Sequence, residues 1–121
     1  MRSVILLLTL LAAPSLAQQA PRDGDVLLSK DELTALVSGK MLEFFTGGFA
    51  RHGTDGGYDY RYAIDGAPAP GRYEVRDDST ICITFHNGFD RCDLLVKSGE
   101  RYVMVIKNGD RYPVKAITSL E

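Results

Sequence analysis

The 121-residue sequence is poor in the side chains that carry most protein chemistry. It has no tryptophan, only two cysteines and two histidines, and no excess of basic over acidic residues. Two cysteines are too few for a disulfide-rich scaffold or for a zinc site of four cysteines. A net charge of −2 at pH 7 provides no attraction to nucleic acid or to an anionic membrane. We therefore expect no nucleic-acid partner, no metal and no other cofactor.

Long hydrophobic runs are also absent after the start of the chain. The run from Val4 to Ala13 follows Arg2 and is about half as long as the ~20 apolar residues of a membrane-spanning helix. Small residues at Ser15 and Ala17 then give the pattern that signal peptidase accepts. We predict a cleaved signal peptide over residues 1–17, a periplasmic or secreted location, and no membrane span after cleavage.

The remaining sequence predicts a flexible leader over residues 18–27 and a single β-rich domain over residues 28–121. The leader is expected because its first residues are glutamine, proline, glycine and aspartate, with few apolar side chains. The domain begins with a short helix. Ser29 and Glu32 have the spacing of a capping box, and an apolar stripe continues to Val37.

From Lys40 onward, short runs of alternating residues are separated by turn residues such as Asn87-Gly88. Sequential strands joined by tight turns must be antiparallel neighbours. We predict a mainly β, α+β domain in which one short helix precedes a meander of about seven or eight antiparallel strands. The sheet is expected to be strongly bent or to close into a small up-and-down barrel, because closure removes exposed edges. The predicted strands are residues 41–46, 49–52, 58–64, 72–76, 80–85, 89–96, 101–106 and 112–117.

Cys82 and Cys92 flank the Asn87-Gly88 turn, and in an exported chain they predict one disulfide. A three-residue loop with Gly88 in the left-handed conformation places the two cysteines opposite each other, within disulfide range. A two-residue turn instead places Ile83 opposite Cys92, gives a more uniformly apolar face and prevents the bond, unless a bulge near Thr84 realigns the cysteines. We favour the disulfide as a structural bond, because the ten-residue spacing differs from the Cys-x-x-Cys arrangement of redox catalysts.

A tyrosine stripe is the most unusual local feature. Tyr58, Tyr60 and Tyr62 alternate along one strand and share a face, with Arg61 and Arg72 nearby. In a barrel, tyrosines can line a ligand cavity, because each offers an apolar ring and a hydroxyl. They can equally form an ordinary sheet face that is stabilised by cross-strand pairs. These five residues are the candidate ligand-binding residues, and the arginines suggest an anionic ligand or partner.

Catalytic chemistry has little support in the sequence. His52 and His86 are the only side chains with an ordinary pKa near neutral pH. We interpret both as solvated loop residues, His52 in a glycine-rich segment and His86 beside a hairpin turn. No local spacing joins them with a carboxylate such as Asp90 into a metal site. No Gly-x-Ser-x-Gly motif is present either, so we predict no catalytic residue.

Most of the chain after the leader resembles a family of small exported proteins of Gram-negative bacteria. The resemblance lies in a Gly-x-aromatic strand, two cysteine-bearing strands, a Gly-x-x-Tyr hairpin and the segment before the first strand. The matching segments are Gly71–Val75, Ile81–Phe85, Arg91–Leu94, Ser98–Tyr102 and Leu36–Lys40. The function of that family is unknown, so the resemblance implies an exported fold and no catalytic residue.

These features predict an exported binding or accessory protein without catalysis. Its partner is expected to be a small ligand or an envelope protein, and the chain is expected to be a monomer or a weak dimer. Two alternatives remain open. The loop from Asp65 to Pro70 could dock into an enzyme and inhibit it, or the protein could be a small enzyme that uses His52 or His86.

Overall fold

A computed structural model describes residues 19–121 of the chain, so the predicted signal peptide over residues 1–17 lies outside the described residues. The described part contains one helix and nine strands. The elements in chain order are β1 Asp25–Leu27, α1 Lys30–Val37, β2 Lys40–Phe44, β3 Phe49–His52, β4 Gly57–Arg61, β5 Ala69–Val75, β6 Thr80–Phe85, β7 Asp90–Ser98, β8 Arg101–Val105 and β9 Arg111–Ser119.

The strands β2 to β9 form a closed antiparallel barrel, with β1 as an additional strand. Each barrel strand pairs with its neighbours in sequence, as expected for a meander. The barrel closes where β2 pairs with β9, from Lys40 opposite Ser119 to Phe44 opposite Val114. A bulge between Glu43 and Phe44 interrupts this register. The prediction of a mainly β meander is confirmed. Of the two predicted forms, a strongly bent sheet and a small barrel, the structure has the closed barrel.

The helix α1 begins as its sequence predicts. The Glu32 amide donates to the Ser29 hydroxyl at 3.1 Å, and the Ser29 amide donates to the Glu32 carboxylate at 3.3 Å, which completes the capping box. Leu33 and Val37 are buried, and α1 contacts β2 and β5. The helix therefore covers the end of the barrel at which β2 starts. Within residues 19–121, no helix is long and apolar enough to cross a membrane.

The strand β1 lies inside the segment 18–27, for which the sequence predicts a flexible leader, and its residues 25–27 are paired with another strand. β1 pairs with the end of β7, from Asp25 opposite Ser98 to Leu27 opposite Val96. Arg111 also donates two hydrogen bonds to the Asp25 carboxylate, at 2.8 and 2.9 Å. These hydrogen bonds lower the pKa of Asp25 to about 2. The segment is ordered by partners far away in sequence, which a local pattern does not reveal.

The strand β7 changes neighbours halfway along its length. Its first half, from Asp90 to Leu94, pairs with β6, while its pairing with β8 begins only at Leu94. The barrel wall is therefore incomplete beside the start of β7. The Gln19 side-chain amide bridges this gap by donating to the carbonyl oxygens of Cys92 at 2.7 Å and Val105 at 2.9 Å.

The hairpin of β6 and β7 has the register that the predicted disulfide requires. Cys82 lies opposite Cys92, and the two sulfur atoms are bonded at 2.03 Å. The Phe85 amide donates to the Phe89 carbonyl, and Gly88 has a φ of +90°, as expected for a three-residue loop with a left-handed glycine. The disulfide prediction is confirmed, and the alternative two-residue turn is wrong.

Alternation along the strands divides the apolar residues between two clusters. The main cluster fills the barrel interior and includes Leu42, Phe44, Ile83 and Leu95. A smaller cluster lies on the other face of β7 and β8; its members are Leu94, Val96, Val103 and Val105. The inward face of β7 is the exception to an apolar interior, because Arg91 and Asp93 alternate with Leu95 there.

Candidate functional site

A cavity of about 310 Å³ opens at the end of the barrel opposite α1. It lies where β2, β4 and β8 end and where β7 and β9 begin. We call it the mouth cavity. Its volume is at the lower end of the range of about 300–1,000 Å³ that is typical of small-molecule sites. The aromatic and charged side chains in its wall are Phe44, Tyr60, Tyr62, Tyr112 and Arg91.

Tyr60 and Tyr62 form an aromatic corner of the mouth cavity. Their ring centroids are 5.2 Å apart and their planes meet at 83°, which is a favourable edge-to-face arrangement. The Tyr60 ring packs directly over the Gly48 backbone, where a Cβ atom would lie 2.7 Å from Tyr60 Cζ and would overlap the hydroxyl oxygen. The absence of a side chain at Gly48 therefore leaves room for the Tyr60 ring to lie against the backbone.

Arg91 supplies the only charged side chain in the described wall of the mouth cavity. Its guanidinium carbon lies 5.7 Å from the centroid of the Tyr60 ring and 5.6 Å from that of Phe85, within cation–π range. Its Nε atom is 3.1 Å from Asp93 Oδ2. The Arg91 side chain is 30% exposed and that of Asp93 only 4%. The carboxylate thus lies behind the guanidinium as seen from the cavity.

Asp93 is a buried carboxylate whose polar contacts are incomplete. The pair with Arg91 is close but not aligned as a hydrogen bond, and Asp93 Oδ1 has no hydrogen-bond partner among the described residues. Burial raises the pKa of Asp93, and attraction to Arg91 only partly offsets that rise. The Arg91–Asp93 ion pair therefore lacks a complete set of hydrogen bonds, since Arg91 Nε is also without a hydrogen-bond partner among the described residues.

His52 lies deeper in the barrel, and its interpretation as a solvated loop residue is wrong. It is the last residue of β3, 2% exposed, and its ring packs edge-on against Tyr58 and Tyr73 at centroid distances of 5.2 and 5.0 Å. Burial lowers the pKa of His52 to about 4. The predicted strand over residues 49–52 already included the histidine, and the sequence did not show that its side chain faces the barrel interior. His86 is exposed beside the hairpin turn, as predicted.

The tyrosine stripe is only partly continuous in the structure. Tyr58 is buried inside the barrel and Tyr60 lines the mouth cavity. β4 ends at Arg61, earlier than predicted, so Tyr62 follows the strand and stands 84% exposed at the rim of the cavity. The structure therefore brings Tyr60 and Tyr62 to one site and leaves Tyr58 in the core.

The two arginines proposed from the sequence lie away from the mouth cavity. Arg61 pairs with Asp59 on its own strand, at 3.1 Å, and Arg72 donates to the Asp55 carbonyl at 2.8 Å. Both point outward, because they alternate with the inward tyrosines of β4 and β5. Arg91 takes their place, and sequence reasoning missed it. The cysteine register contained the signal, since pairing Cys82 with Cys92 also pairs Arg91 with the inward Ile83.

A second concavity, of about 720 Å³, lies along the gap in the barrel wall beside the disulfide. It is larger, but exposed side chains such as Phe89, Asp90 and Lys107 form much of its lining. Basic and acidic groups are mixed there, including Arg76 and Asp90. Ligand sites usually bury most of the ligand surface. The mouth cavity, with its aromatic walls and single charge, is the better candidate.

Other predicted sites have weaker support. The loop suggested for enzyme docking is shorter than expected, because Ala69 and Pro70 already belong to β5. Among residues 19–121, no three histidine, cysteine, aspartate or glutamate side chains lie close enough to hold a metal ion. Comparison with protein-family models, curated proteins and solved structures found no match. The resemblance to a family of exported proteins therefore stays a prediction.

Proposed function

We propose that this chain is an exported binding or accessory protein that holds a small molecule in the mouth cavity. The observation that supports this proposal most directly is the difference between the two ends of the barrel. One end is covered by α1, and the other is open and lined by three tyrosines, a phenylalanine and one arginine. Rings that combine an apolar surface with a hydroxyl, grouped around a single charge, suit a small amphipathic ligand.

The disulfide supports the exported location. Cys82 and Cys92 are bonded, and Cys92 is exposed at the protein surface. Such bonds persist in oxidising compartments and are rare in the reducing cytosol. The proposed location thus has two independent supports, the disulfide and the signal-peptide pattern that ends at Ala17.

The cavity wall favours binding over catalysis. General acid–base catalysis works best with a group whose pKa is near the operating pH. Burial raises the pKa of Tyr60, and Arg91 stays charged at all ordinary pH values. The buried His52 does not line the cavity. We therefore propose that these side chains orient a ligand rather than transform it.

A ligand screen with matched tyrosine variants tests the proposal. The mature chain, residues 18–121, would be screened by thermal shift against small soluble metabolites and aromatic compounds. Tyr60→Leu removes an aromatic wall of the mouth cavity, whereas Tyr102→Leu alters a half-buried tyrosine at the opposite end of the barrel. Hits should stabilise wild type and Tyr102→Leu and should lose their effect on Tyr60→Leu. A screen without hits, or hits that stabilise both variants equally, would overturn the proposal.

A further inference from the structure

The geometry points to a small carboxylate with an aromatic or compact apolar body as the ligand of the mouth cavity, with its anionic group at Arg91. This inference rests on the proposed function and names its ligand class. It depends on the order in which charged groups are met along the barrel axis, on the donors left on the guanidinium, and on the shape of the cavity wall.

An incoming ligand meets positive charge before negative charge. Arg91 is the single charged residue of the described cavity wall, and no carboxylate lines it. Asp93 is 4% exposed and lies in the interior beneath, beside His52 and Tyr58, where it also borders the gap in the barrel wall. A cationic ligand would therefore lie against a guanidinium with no carboxylate to receive it. An anion would instead find an attractive partner in the guanidinium.

The guanidinium has hydrogen-bond donors to spare. A guanidinium carries five N–H groups in a rigid fork, and the closest approach of Asp93 is to Nε, at 3.1 Å. The Tyr58 hydroxyl also lies beside the group. The faces of the group are occupied in part by the Tyr60 and Phe85 rings, so the edge of the fork is the part available to a ligand. A carboxylate matches that edge with two parallel hydrogen bonds. A neutral ligand of the same shape would leave part of this capacity unused.

The cavity also limits the size and charge of the ligand. A volume of about 310 Å³ suits a body of one ring or a short apolar chain, and the walls at Phe44, Tyr60 and Tyr112 can pack against it. One cation that is already paired with a carboxylate gives little compensation for a second negative charge. A monocarboxylate is therefore favoured over a dianion such as a phosphate monoester.

Three para-substituted phenols of similar size test the ligand class by isothermal titration calorimetry on the mature chain. The anion is 4-hydroxybenzoate, the neutral analogue is 4-hydroxybenzamide, and the cation is 4-hydroxybenzylamine. We expect the benzoate to bind about tenfold or more tightly than the amide, since one charge-assisted hydrogen bond corresponds to at least that factor. We expect no measurable binding of the amine.

Substitutions at the ion pair separate a binding role of Arg91 from a structural one. Arg91→Met should weaken benzoate binding about tenfold or more and abolish the preference over the amide. Asp93→Asn should strengthen benzoate binding, because it removes the competing carboxylate behind the guanidinium. A purely structural pair would weaken binding in both variants. Arg61→Met is the matched control, because Arg61 also pairs through Nε with an aspartate two residues away, on the outer face.

The possible results distinguish failure of the proposed ligand class from failure of the proposed binding function. If Arg91→Met does not fold, the double variant Arg91→Met/Asp93→Asn leaves no lone buried charge and takes its place. Equal binding of the three probes, or benzoate binding that survives the loss of Arg91, overturns the ligand class. So does a thermal-shift screen whose hits are all uncharged or cationic, although the proposed binding function then stands. If neither the probes nor the screen gives any ligand, both proposals fail together.

Discussion

His52 should make the stability of the barrel depend on pH over a defined window. The imidazole is 2% exposed and is enclosed by the rings of Tyr58 and Tyr73, with Asp93 lining the same interior gap. Burial lowers the pKa of His52 from 6.5 to about 4. The neutral ring fits this interior, whereas the charged ring would have to lose its hydration there.

The sign and size of the effect follow from that pKa difference. Between pH 6.5 and about 4 the unfolded chain binds a proton at His52 that the folded chain does not, so the free energy of unfolding falls as the pH falls. The loss relative to neutral pH is about 2 kcal/mol at pH 5 and about 3 kcal/mol at pH 4. Asp93 acts in the opposite direction, because its raised pKa favours the folded state on acidification.

Urea unfolding of three proteins between pH 4 and pH 7 isolates the histidine. His52→Phe replaces the titrating ring with one that cannot bind a proton, and His86→Gln removes the exposed imidazole as a control. Wild type and His86→Gln should lose about 3 kcal/mol more than His52→Phe over this range. Any packing change in His52→Phe shifts its free energy of unfolding by the same amount at every pH. The titration of Asp93 contributes to the pH dependence of all three proteins. Parallel curves for wild type and His52→Phe would refute the reasoning.

Three further predictions concern the disulfide, the cavity wall and the helix. Reduction and alkylation of Cys82 and Cys92 should lower the free energy of unfolding in urea by about 2–3 kcal/mol, because the bond closes a short loop; an unchanged midpoint would contradict this. Gly48→Ala should destabilise the fold by about 1–3 kcal/mol by displacing the Tyr60 ring. A thermal melt should show relief of this effect in Gly48→Ala/Tyr60→Leu, and additive losses would exclude the clash. Ser29→Ala should lower the free energy of unfolding in urea by about 1 kcal/mol, because it removes the capping hydroxyl. A decrease smaller than the error of the measurement would contradict a stabilising role of this cap.

Much of the barrel follows from local sequence signals. The capping box at Ser29 and Glu32 defines the start of α1 in both sequence and structure. Short runs between glycine-containing turns predict the order of the strands, because tight turns leave neighbouring strands only one way to pair. The cysteine pair then decides the register of β6 and β7, for which the apolar pattern alone favoured the wrong alternative.

The features that the sequence did not reveal depend on long-range contacts. β1 exists because Asp25 meets Arg111 and because the end of β7 offers a free edge. The burial of His52 depends on the rings that approach from β4 and β5. Arg91 was missed because a charged residue suggests an outward position, although the disulfide register implies the inward one. Of the three tyrosines in the cavity wall, Tyr60 and Tyr62 were predicted, whereas Tyr112 was not.

The pairing of β2 with β9 determines when the barrel can close during synthesis of the chain. Lys40 pairs with Ser119, so the barrel closes only when β9, the last barrel strand, has joined the first. All the other barrel pairings join strands that are consecutive along the chain. During synthesis, β2 to β8 can therefore form hairpins in turn, while the sheet keeps two unpaired edges. Exposed edges are templates for aggregation. A chain that ends before residue 111 should persist as an open sheet with a tendency to associate, and the last strand converts it into a self-contained barrel.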